Sequence, residues 1–350
     1  MSYAIFIGAA FILTVIAWLR PSHAGVCGGV LLVFAILFAG LRGASNDYGD
    51  YVTMFRDIQT STSSLLETVY IGKDPLFGLL IMGIQAAGLG VQAVFLLSAA
   101  IALSLKAKAF SRIFGEFATP LFITLCTTYF LHEYTQMRVA IALGFAFLGL
   151  IALSERRKLL WLIFTFLAAG FHISMVAVLV CELPFVLEWD NSWALASFLG
   201  GGLAGLAAVS HIFSLLAVVS ERTSEYQYGD TLSTHGLLLA CMEAAVIVIL
   251  NLVLLRDEVH PGRARLWKIC LVLQIAGIGM FLVLADRAPG LGFRLEELMN
   301  AFGVFVITGA IFRRSYQTWA LAFIYCVGAF AVVGASHLLL PYELSTQQIW

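Results

Sequence analysis

The chain has 350 residues, 61% of them hydrophobic and only 12% charged, with a formal net charge of −1 and a mean hydropathy of +0.94. A soluble domain carries roughly 25% charged residues, so this composition excludes a water-soluble fold, and the absence of a basic run excludes a nucleic-acid footprint. The six cysteines form no CxxC and lie in or beside apolar runs, so they read as small buried side chains, neither disulfides nor metal ligands.

The first apolar run, 2–19, has no basic residue before it and Arg20 after it. That order describes a retained spanning helix with its N-terminus outside and Arg20 inside, and not a cleaved leader. Further apolar runs follow at 24–41, 75–105, 117–131, 135–153, 159–187, 193–219, 234–255, 266–285, 295–311 and 318–340. Backbone in lipid must satisfy its own hydrogen bonds, so these runs are expected as helices. The expected architecture is all-α, a polytopic transmembrane bundle of about ten or more spanning or re-entrant helices, forming one integral membrane domain over 1–350. The Gly25-x-x-x-Gly29 and Gly201-x-x-x-Gly205 spacings predict close helix contacts.

The positive-inside bias places Lys106…Arg112, Glu155–Lys158, Arg256…Lys268 and Arg313-Arg314 in the cytoplasm. The acidic or mixed stretches 42–74, 132–138, 220–233 and 286–294 and the C-terminus are then expected outside. Parity requires one extra reversal between 155–158 and 220–233, and Ala168-Ala-Gly170-Phe-His172 is the natural break in the long run 159–187. A broken helix at membrane depth is tolerated where it lines a cavity or is buried in protein, which points His172 at a cavity. The 75–105 run is likewise too long for one span, so one half of it lies flat or re-enters.

Three segments carry chemistry. After the second apolar run, Arg42, Asn46, Asp47, Tyr48, Asp50 and Tyr51 crowd into ten residues, with Gly43 and Gly49 permitting turns. Arginine pairs phosphate oxygens, a carboxylate takes a proton from a sugar hydroxyl, and phenols position sugars. The plain alternative is a solvated loop with an Asx turn. Arg138 stands just inside the start of the next apolar helix, either snorkelling to the headgroups or holding an anion with help from the helix N-terminus. His172 is either a helix-packing residue or a group that accepts a proton or faces a pyrophosphate. Glu243 and Asn251 lie within an apolar run and face protein. The outer stretches add Arg222, Glu225, Tyr226, Tyr228, Asp286, Arg287, Arg294, Glu296 and Glu297, each by itself an ordinary interfacial or solvated residue. His132-Glu133 does not open an HExxH, and no nucleotide-binding motif occurs.

The order Arg42-Gly43…Asp47-Tyr48…Tyr51, then Arg138-Val139-Ala140, then Arg156-Arg157-Lys158, then Phe171-His172-Ile173-Ser174 resembles the EpsG family of Wzy-like exopolysaccharide polymerases. The family commonly has Gln where this chain has Val139, and the last third matches only as hydropathy, with Tyr226 and Arg294 as equivalents. The resemblance implies a GT-C-like fold in the bacterial inner membrane with an active site facing the periplasm. It implies glycosyl transfer from a growing glycan on undecaprenyl pyrophosphate to a lipid-linked repeat unit, without cofactor or metal. Besides these two substrates and the surrounding membrane lipid, it implies a flippase and a chain-length regulator as partners, and no nucleic acid. Arg138 is the first choice to meet the pyrophosphate, with Arg42, Arg294 and His172 assisting. Asp47 is the first choice of base, then Asp50 or His172; Tyr48 and Tyr51 position sugar. The rivals are a glycan ligase, a membrane O-acyltransferase, and a transporter or lipid-linked sugar flippase. A flippase calls for cations through the full depth of the membrane, whereas these groups gather at one side.

Overall fold

The computed structural model describes residues 3–60, 74–189, 191–216, 234–258, 260–285, 288–313, 316–335 and 342. Among them the regular structure is helical throughout. Five stretches are long and apolar enough to cross a membrane, namely Pro21–Gly40, Val91–Phe114, Met137–Ser154, Pro261–Leu284 and Pro289–Phe312, and shorter apolar helices accompany them. The protein is therefore membrane-embedded. The outward faces match: on the helix Lys158–Phe171, Leu159, Leu162, Ile163 and Phe166 are exposed while Trp161, Thr165 and Ala168 are buried. Both stripes are apolar or nearly so, as expected when one meets protein and the other meets lipid.

The chain forms two compact units. The first comprises residues 1–151, 159–175 and 326–350. Its helices are α1 (Tyr3–Leu19), α2 (Ala24–Gly40), α3 (Tyr48–Thr60), α4 (Pro75–Ala86), α5 (Val91–Phe114), α6 (Ala118–Thr127), α7 (Met137–Ser154) and α8 (Lys158–Phe171). α1 and α2 run antiparallel: Phe6 stacks on Phe38 at 4.1 Å near one end, and at the other Ala17 shares an apolar cluster with Cys27, while Trp18 Nε1 donates to Thr119 Oγ1 of α6 (2.7 Å). α6 packs on α2 through Leu121 and Leu125, and just past its end the Tyr129 hydroxyl donates to the Ala35 carbonyl (2.7 Å). Glycines set the closest approaches. A methyl at Gly40 would stand 2.8 Å from Leu96 Cα, and one at Gly144 3.2 Å from the Ala102 carbonyl oxygen, so α2 and α7 both touch α5 nearly backbone to backbone. The GxxxG pairs play no such part: among the described residues nothing lies within 4 Å of a methyl built at Gly25, Gly29, Gly201 or Gly205. That expectation is corrected, because spacing marks small residues without saying which face meets a neighbour.

The long 75–105 run is two helices. α4 and α5 are joined by a tight turn at residues 87–90, where Gly88 has φ +73°. α3 packs on α4, tied by Gln85 Nε2 donating to the Phe55 carbonyl (2.7 Å) and by Tyr51 against Phe77 (5.6 Å).

Lys106 was expected in a cytoplasmic loop. It lies instead fifteen residues past Val91, roughly 22 Å along α5, fully buried and paired with the equally buried Glu133. The stretch 132–138, expected as an outer loop, folds into a buried turn over 132–136 and the start of α7, with His132, Glu133 and Thr135 all sealed. The reason is mutual: each charge finds its partner inside the protein, which removes the need to reach water.

The second unit comprises residues 152–158 and 176–325. It holds α9 (Met175–Val186), α10 (Ser192–Leu216), α11 (Thr234–Asp257), α12 (Pro261–Leu284), α13 (Pro289–Asn300), α14 (Gly303–Phe312) and the first half of α15 (Tyr316–Ala335). α12 and α13 form a hairpin through Gln274 Nε2 donating to the Met299 carbonyl (2.9 Å). Three of the basic segments gather at one end of this unit. Arg156 and Lys158 flank Glu188, Arg265 donates to the Phe185 carbonyl, and Arg313 donates to the Val253 carbonyl (2.8 Å). Among the described residues, Cys27, Cys126, Cys181, Cys270 and Cys326 are free and buried, as expected.

Candidate functional site

Three chain segments meet in the first unit. Asp74 precedes Pro75, whose fixed φ starts α4 and holds the residue before it extended (φ −133°, ψ 130°). An aspartate here usually caps its helix, but this one makes no capping bond. Its carboxylate turns to distant partners instead. Oδ2 accepts from Arg138 Nη1 at 2.6 Å and lies 3.5 Å from His172 Nδ1; Oδ1 accepts the Ile173 N–H at 3.1 Å. Arg138 is the second residue of α7, and His172 follows the last residue of α8. α8 ends at Phe171 and α9 begins at Met175, so the expected break falls at 172–174, a few residues later than its first glycine signal. Gly170 makes this meeting possible by letting Leu76 of α4 press against α8.

The side chain of Asp74 is 3% exposed, against 20% for Arg138 and 23% for His172. The anchor is buried and the two groups it holds are open. Burial works against the Asp74 charge, but His172, the Arg138 guanidinium and the Ile173 N–H outweigh it and hold the carboxyl below its ordinary range. The Tyr51 phenol also sits against the Arg138 guanidinium. Arg138 Nε is buried and makes no hydrogen bond among the described residues. An arginine has five donors in a fixed fork, so the Asp74 bond leaves Arg138 with capacity for a second anion.

The other expected residues are placed in different ways. Arg42 is fully buried at the end of α2. It donates to the Ala39 carbonyl and to Ser45 Oγ (3.3 Å), and its guanidinium lies over the rings of Phe95 (4.7 Å) and Tyr134 (5.2 Å). It fixes the turn into α3 and is sealed from solvent. Tyr48 stacks on the same Phe95 at 4.7 Å, so one of its faces is occupied. Asp47 is partly buried beside Tyr51, while Asp50 in the first turn of α3 is exposed. Arg294 is exposed on α13 of the second unit. Tyr226 lies outside the described residues, as do Arg222, Glu225, Tyr228, Asp286 and Arg287.

Asp74 is the residue that sequence reasoning missed. It sits at the end of a polar stretch next to Lys73, where it looks like a helix start. The one available signal was that an Asp-Pro directly before an apolar run puts a carboxylate at the edge of the apolar phase.

A family model described as the EpsG family matches residues 26–344 of the chain. No curated protein and no solved structure matches it.

Proposed function

The chain belongs to the EpsG family, and from that footing we propose that it polymerises undecaprenyl-pyrophosphate-linked oligosaccharide repeat units into exopolysaccharide or O-antigen at the periplasmic face of a bacterial inner membrane. The donor glycan leaves its lipid pyrophosphate as a hydroxyl of the acceptor unit attacks the anomeric carbon. The negative charge that develops on the departing pyrophosphate is stabilised by preorganised cations in a site poor in water. Arg138 fills that role in this reading. Asp74 and Tyr51 fix its guanidinium, and its buried Nε has no other partner among the described residues. That fixed, incompletely satisfied arginine beside a histidine is the observation that carries the proposal. The acceptor hydroxyl also needs a base, and His172 and Asp47 border the same region. Arg42, sealed between two rings, supports the fold of the 42–48 turn and meets no substrate in this scheme. No metal is assigned a part.

A deletion strain should accumulate single repeat units on lipid at the outer face of the membrane, and Arg138→Ala should restore no polymer while inserting at normal abundance. Accumulation at the inner face points to a flippase. A polymer of normal length lacking a substituent points to an acyltransferase. Either result, or full-length polymer made by Arg138→Ala, removes the proposal.

A further inference from the structure

We infer that Asp74 and His172 act as a carboxylate–imidazole pair in which His172 Nε2 is the base that deprotonates the acceptor hydroxyl and Asp74 is the positioning residue that sets the ring for it. This rests on the polymerase reading above and assigns the proton-transfer step within it.

The geometry distinguishes the two ring nitrogens. Nδ1 is buried and 3.5 Å from Asp74 Oδ2, whereas the side chain as a whole is 23% exposed. The open edge of the ring is therefore the one that carries Nε2. An imidazole beside a carboxylate keeps its proton on the nitrogen that faces it, which leaves the lone pair on the other. The 3.5 Å separation is longer than a formed hydrogen bond, and such contacts tighten when substrate arrives. Asp74 holds the segment from a second direction as well, because Oδ1 accepts the N–H of Ile173, the very next residue. One carboxylate thus holds the backbone and faces the ring.

The same Oδ2 accepts from Arg138 Nη1. One buried aspartate therefore sets the spacing between the arginine that meets the leaving pyrophosphate and the histidine that meets the incoming hydroxyl. The charged and titratable groups around His172 are Asp74 at the start of α4, Arg138 at the start of α7, and His132 in the turn before α7. Asp74 is the anion among them. Asp50 is exposed on α3, and Asp47 is next to Tyr51, so neither shares a buried carboxylate partner with the arginine as His172 does.

The step balances. Nε2 takes the hydroxyl proton as the acceptor oxygen bonds to the anomeric carbon, and the bond from that carbon to the pyrophosphate oxygen breaks with both electrons leaving on the lipid pyrophosphate. The imidazolium, stabilised by Asp74, then returns its proton to the pyrophosphate or to water.

The test uses the full chain in lipid nanodiscs, with lipid-linked glycan extracted from the deletion strain as both donor and acceptor. Asp74→Asn keeps the shape and an acceptor for the Ile173 N–H but removes the charge. It is expected to lower the extension rate by about 10²–10⁴-fold with the apparent KM for the glycan changed far less, and Asp74→Glu is expected to regain part of the rate. His172→Ala is expected to be inactive and to recover extension on adding imidazole, which a merely structural histidine does not permit. If the wild-type protein extends the glycan and Asp74→Asn matches it, or His172→Ala stays dead with imidazole while remaining folded, the assignment is overturned and the polymerase reading stands. If the wild-type protein does not extend the glycan, both fall together.

Discussion

The Lys106–Glu133 pair makes the most demanding stability prediction. Both side chains are 0% exposed, and Lys106 Nζ lies 5.7 Å from the centre of the Phe147 ring. Around the pair the turn adds His132, also buried, close enough to feel the lysine charge. Removing one member leaves the other charge buried without compensation, which typically destabilises a fold by about 3–5 kcal/mol. Against a total stability of roughly 5–15 kcal/mol, Lys106→Met or Glu133→Leu alone should therefore be severely damaging. Replacing both with apolar side chains removes the two desolvation costs together, so Lys106→Met/Glu133→Leu should recover most of the loss and come within about 1 kcal/mol of wild type or better. Equilibrium unfolding of the purified proteins in mixed micelles, followed by far-UV circular dichroism, measures all four corners of the cycle. A single Lys106→Met variant losing less than about 1 kcal/mol, or a double variant no better than the sum of its singles, refutes the reasoning that a buried, mutually compensating pair fastens α5 to the turn before α7.

Two glycines offer an opposed pair of substitutions. Gly40→Ala puts a methyl 2.8 Å from Leu96 Cα, where backbone must move, and should destabilise by about 1–3 kcal/mol; Gly83→Ala on α4 meets nothing within 4 Å and should stabilise by roughly 0.5–1 kcal/mol. The same unfolding assay reads both, and equal effects from the two would contradict the close approach of α2 to α5. Acid should act through Asp74. Its carboxyl is held below the ordinary value of 3.8 in the folded protein, so the folded state binds that proton less readily than the unfolded chain. The resulting stability is fully present above the ordinary aspartate range and is lost as pH falls through the depressed folded value. Unfolding midpoints measured as the pH falls below the ordinary aspartate value of 3.8 should drop more steeply for the wild type than for Asp74→Asn. Parallel pH profiles would remove the link between this carboxyl and Arg138.

Part of the candidate site was legible because its signals are local. Arg138 at the start of an apolar helix and a helix break at His172 both follow from neighbouring residues, and the structure places α7 and the α8 end accordingly. The reading of Arg42 as an open cation was local too, and there it failed to anticipate the outcome: the Phe95 and Tyr134 rings that enclose it come from positions far along the chain. Lys106 shows the same limit. A lysine in an apolar run looks like the end of a span until its partner, twenty-seven residues on, is known.

The sequence by itself determined that the chain is helical and lies in a membrane, that the 159–187 run breaks near His172, and which family it resembles, because hydropathy and backbone hydrogen bonding in lipid act over a few adjacent residues. Only the tertiary structure decided which charges are partners. Asp74 reaches Arg138 across 64 positions and the Ile173 N–H across 99. A carboxylate carries no mark of which distant donor will face it, and glycines that admit close backbone approach make that choice only when the helices pack.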